Sequence, residues 1–82
     1  MTNWKSIGVS AEGAKFSIQG LNVWDAKWER SGSEVVELPH PSYPTQMHRM
    51  NVYQINTKHE TIVFAAGELS ANVWGFYTQE KK

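Results

Sequence analysis

The sequence predicts an all-β protein: six or seven antiparallel strands in a meander, forming a small open barrel or a two-layer sandwich. Three observations point there. Apolar residues recur with a period of two rather than 3.6. Glycines and short polar clusters separate the alternating runs. Near the end of the chain, Tyr53 and Ile55, Ile62 and Phe64, then Trp74 and Phe76 line up as an aromatic ladder. Side chains alternate across a strand, so three such pairs in register describe a meander with one buried face.

At the N-terminal end, Ile7 and Val9 alternate with Ser6, Gly8 and Ser10, while Phe16 and Ile18 alternate with Lys15, Ser17 and Gln19. A two-residue turn at Glu12-Gly13 opposes Val9 to Phe16 and Ile7 to Ile18, with glycine supplying the positive φ. The β-like run from Ala14 to Arg30 would span about 55 Å if extended, at about 3.3 Å per residue. A domain this small cannot hold it, so the chain bends or breaks at Gly20. Without a bulge there, Trp24 and Trp28 join the core. A one-residue bulge instead turns Leu21 and Val23 inward and the tryptophans outward.

A second hairpin is expected at Ser31-Gly32-Ser33. A three-residue loop would set Trp28 against Val36 and Ala26 against Leu38. Pro39, Pro41 and Pro44 then crowd the segment 39–46. Proline suits neither a central strand nor a helix interior, so this segment reads as an extended spacer. It joins a strand group over 4–38 to another over 47–79 within one domain. A third turn around Lys58-His59, of two to five residues, pairs Tyr53 with Phe64 and Ile55 with Ile62. The fourth, at Glu68-Leu69-Ser70, brings Phe64 to Trp74 and Ile62 to Phe76. Ala, Glu and Leu would tolerate a helix over Glu60–Ala71, but the run Thr61-Ile62-Val63-Phe64 and Gly67 oppose it. The tail Thr78-Gln79-Glu80-Lys81-Lys82 reads as polar and frayed.

Eighty-two residues suffice for one core. A chain of this size buries about 60% of its unfolded surface, so a partner subunit would add stability. Four Trp, three Tyr and three Phe supply much apolar area. Eight basic and eight acidic side chains cancel, giving no general attraction for nucleic acid or an anionic membrane. The absence of cysteine excludes disulfides, thiolate nucleophiles and Cys-based zinc sites. No run resembles a signal peptide or a membrane span, so a cytoplasmic protein is expected.

Chemistry-bearing residues are sparse. His40 and His48 flank the proline segment and His59 lies in a turn, but no pair has helical spacing and no carboxylate motif joins them. No metal and no cofactor are expected. The serines Ser31, Ser33, Ser42 and Ser70 cluster at turns outside any nucleophile motif, and Asp25 is the single aspartate. The glycines have no phosphate-loop spacing. The binding candidates are therefore Trp24 and Trp28, which would stack on a sugar or a base if outward, and His40, Tyr43 and His48 around the prolines.

The expected function is non-catalytic: a protein-interaction or self-associating domain, a homodimer included, built on exposed aromatics or a free sheet edge. One alternative is a module holding an apolar or sugar-like ligand between tryptophans. Another is an enzyme using His40 or His48 for acid–base chemistry beside Tyr43.

Overall fold

The computed structural model describes residues 4–79. Seven strands follow one another: β1 (Trp4–Ala11), β2 (Ser17–Ile18), β3 (Leu21–Asn22), β4 (Glu29–Pro39), β5 (Met47–Asn56), β6 (Thr61–Ser70) and β7 (Val73–Gln79). A single turn of 3-10 helix, Val23–Asp25, follows β3. Five strands form one antiparallel sheet in the order β1-β7-β6-β5-β4, and β2 and β3 form a small ribbon of their own. The all-β expectation holds, and the main sheet is not closed into a barrel.

The β5–β6 hairpin has the expected register, with Tyr53 opposite Phe64 and Ile55 opposite Ile62. Its loop is four residues long. Thr57 holds it by donating its N–H and its hydroxyl to the Glu60 carbonyl. The β6–β7 register differs from expectation. Ala66 faces Phe76 and Glu68 faces Trp74, because the chain reverses at Ala71-Asn72 rather than at Glu68-Leu69-Ser70. Asn72 takes the left-handed conformation (φ 63°) that a two-residue turn requires, and Leu69 becomes the extra residue of a bulge. The slip is an even number of residues, so Phe64, Trp74 and Phe76 keep their common face.

The two N-terminal hairpins need correction. Glu12-Gly13 does form a turn, closed by the Ala14 N–H on the Ala11 carbonyl. The strand entering it pairs with β7, however, and β2 pairs with β3. Phe16 leaves the turn to stack on Phe76, at 4.7 Å between ring centres, rather than to oppose Val9. Ser31-Gly32-Ser33 is not a hairpin turn either. It belongs to a bulge in β4, where Ser31–Glu34 stand against Val52 alone between the pairs Arg30–Tyr53 and Val35–Asn51. The proline segment does join β4 to β5, but it is not extended. Pro39 ends an edge strand opposite Met47, and the His40 N–H bonds to the Gln46 carbonyl, closing a compact loop. Edge position removes the usual penalty on proline in a sheet. Thr78 and Gln79, expected to fray, pair with Lys5 and Trp4; Glu80, Lys81 and Lys82 lie outside the described residues.

The sheet carries a core on each face. One holds Ile55, Ile62, Phe64, Ala66 and Phe76, covered by Ile18 and Val23 from the segment that crosses between β1 and β4. Burying a side chain of this size contributes about 1.5–3 kcal/mol. The other holds Leu38, Met50, Val52, Ala65 and Tyr77, flanked by Trp4, Val36, Val63 and Leu69. Among the described residues, no separate layer covers this second face. Instead the sheet curls toward it, far enough for the Tyr77 hydroxyl on β7 to reach the Pro39 carbonyl on β4. Flat strands three places apart would stand about 14 Å from each other. Gly67 permits the curl, since a Cβ there would overlap Met50 Sδ.

Candidate functional site

Trp24 and Trp28 reach the sheet through a reversal of the chain. Gln19 and Gly20, both at positive φ, make a two-residue turn that sets Ile18 opposite Leu21. Asn22 then organises the next turn. Its side-chain oxygen accepts the Phe16 and Trp24 N–H groups, and its amide donates to Asp25. From this 3-10 turn Val23 is fully buried while Trp24 and Trp28 lie half-buried over the same core. Neither bulge alternative describes this, because parity governs strands and the segment is no longer one.

The two indoles do not form a flat platform. Their planes tilt by 35° at 5.2 Å, and Trp28 meets Phe64, Trp74 and Phe76 edge to face at 5.1 to 6.0 Å. Each indole N–H is spent inside the protein, Trp24 on the Ser10 hydroxyl and Trp28 on the Val23 carbonyl. Edge-to-face rings with satisfied donors are a packing arrangement. Trp74 differs, since its indole nitrogen is buried without a partner.

The structure brings His40, Tyr43 and His48 together where β4 turns into β5. The His40 ring lies 5.0 Å from Tyr43 and 5.5 Å from His48. His40 Nδ1 accepts the N–H groups of Ser42 and Tyr43, which pins the loop and leaves the ring proton on Nε2. A ring held this way cannot offer Nε2 to a metal while staying neutral. His48 points to the face of Met50 and Val52, and its Nε2 is buried with no partner. Tyr43 is exposed. His59 sits apart in the β5–β6 loop. Among the described residues, no cluster of three His, Cys, Asp or Glu side chains could hold a metal ion.

Two features escape a reading by sequence. The first is a groove beside β1 and β7. One lobe of about 420 Å³ is lined by Ile7, Ser17, Ile18, Gln19, Thr78 and Gln79, and a second of about 220 Å³ adds Thr61 and Val63. The second is the contrast between the sheet's two edges. β1 exposes Ile7 and Val9, and among the described residues no main-chain hydrogen bond ties the outer side of Trp4–Ser10 to another segment. β4 is broken by the Ser31–Glu34 bulge and carries Glu29, Arg30, Glu34, Glu37 and Pro39. Only the pairing of β1 with the last strand would reveal these features, and nothing local encodes that pairing.

No protein-family model, no curated protein and no solved structure matches this chain. No helix among the described residues is long and apolar enough to cross a membrane.

Proposed function

We propose that the protein is a non-catalytic, self-associating interaction domain that works through the free edge of β1. The observation that carries this reading is the asymmetry between the two edges. Natural sheets blunt an edge with charge, proline, bulges or short length. β4 uses the first three. β1 is eight residues long, and its protective devices are a single charged side chain, Lys5, and the bulge at Ile7.

A second copy suits this edge. Antiparallel pairing of β1 with its own copy places the two Lys5 side chains at opposite ends of the seam, away from each other. Exposed Val9 then gains a neighbour, and the unpaired main chain gains hydrogen bonds. The zero formal net charge leaves little repulsion to oppose the approach.

Sedimentation velocity across a concentration series tests the reading. The expected result is a reversible shift from monomer to dimer, abolished by Val9→Lys, which adds facing charges on an exposed position. A wild-type chain that stays monomeric at every concentration overturns the self-associating form.

A further inference from the structure

We infer that the groove beside β1 and β7 is a binding site for a neutral, hydroxyl-rich ligand of the saccharide class, organised by Gln19. Its two lobes share Gln19, Thr78 and Gln79, so the residues form one continuous surface. The larger lobe, about 420 Å³, falls within the range of small-molecule sites, about 300–1,000 Å³.

The lining chemistry selects the ligand. Ser17, Thr61 and Thr78 contribute hydroxyls, and Gln19 and Gln79 contribute primary amides, with Ile7, Ile18 and Val63 as the apolar part of the lining. Each amide presents donors and an acceptor together, matching the mixed character of vicinal sugar hydroxyls. Among the described residues, no ionisable side chain lines either lobe. A charged ligand would lose hydration there without gaining a counter-charge.

Gln19 supplies an independent argument. It occupies a left-handed conformation, φ 53°, at the first corner of the β2–β3 turn. Asn or Gly fits that corner with less strain. Backbone strain of this kind gathers at ligand sites, where the local cost is offset by what the side chain does. Here a longer amide than the turn itself needs is held between the two lobes.

The test uses the isotope-labelled full chain, titrated with glucose, N-acetylglucosamine, maltose and cellobiose at millimolar concentration. Glucuronic acid and glucose 6-sulfate serve as charged counterparts. Shifts in the backbone and side-chain amides of Gln19, Thr78 and Gln79, larger for a neutral probe than for a charged one, support the site. Gln19→Asn should then weaken binding about tenfold while leaving the melting temperature unchanged or higher. Three results would overturn it: no response to any probe, responses centred elsewhere, or undiminished binding by Gln19→Asn. Folding of that variant is read separately by its melting curve, so lost binding is not confused with lost structure.

Discussion

The Tyr77 hydroxyl donates to the Pro39 carbonyl, joining β7 to β4 over the two strands between them. This one bond measures how far the sheet has curled. It also gives the one hydroxyl of an otherwise apolar core cluster its partner. Tyr77→Phe keeps the ring and removes the bond, leaving the carbonyl of the exposed Pro39 to water. The expected cost is about 0.5–1.5 kcal/mol, read as a lower urea midpoint. Unchanged stability would mean the curl owes nothing to this contact.

The same residue sets an alkaline limit. Burial holds the Tyr77 hydroxyl above its ordinary value of 10.0. The folded state therefore keeps the proton where the unfolded state has lost it. Stability from this group is complete below pH 10 and declines as pH rises beyond it. Denaturant melts between pH 9 and 11, compared with Tyr77→Phe, should show the wild type falling more steeply. Parallel slopes in the two proteins would exclude Tyr77 as the cause.

Gly67 and Met50 should behave as a coupled pair. A Cβ at Gly67 meets Met50 Sδ, and because Met50 is fully buried its side chain must shift within the core. Gly67→Ala is expected to cost about 1–3 kcal/mol through overpacking. Met50→Val makes room, so the double variant should be more stable than the two single losses predict. Strict additivity in the double-mutant cycle would refute the clash.

Trp28 is a packing residue by its contacts, with five aromatic neighbours and its N–H on Val23. Trp28→Ala should cost about 3 kcal/mol, the low end for a large ring because this one is half-buried. It should also flatten the near-ultraviolet dichroism. A ligand platform would instead lose affinity with its stability intact.

His48 offers the opposite case. Its buried Nε2 has no partner, so an apolar replacement removes a cost rather than a bond. His48→Leu is expected to leave the melting temperature unchanged or raise it. A loss of more than about 1 kcal/mol would show that the nitrogen has a partner in solution, such as a bound water.

What could be read from the sequence follows the range of each interaction. The β5–β6 hairpin was legible because Tyr53, Ile55, Ile62 and Phe64 alternate on both sides of a short loop. The face shared by Phe64, Trp74 and Phe76 was legible too, since parity survives an even slip, whereas the register was not. Gly20 marked a break correctly, but its neighbour Gln19 turned the break into a full reversal. The segment carrying Trp24 and Trp28 defeated the period-two argument because a 3-10 turn follows the reversal. Of the proposed site residues, His40, Tyr43 and His48 do come together, since the hairpin between β4 and β5 closes over them. The edge and the groove stayed hidden because both depend on β1 meeting β7.

That meeting also dictates when the fold can be finished. Trp4 finds its main-chain partner at Gln79, so β1 has nothing to pair with until β7 exists. The hairpins of β5, β6 and β7 can close early, over short loops of low entropic cost. β1 must wait for them, and a chain emerging in sequence would carry the apolar pair Ile7 and Val9 unpaired until β7 had been made. Folding should therefore be limited by one long-range docking step, placing this small domain among the slower of its size.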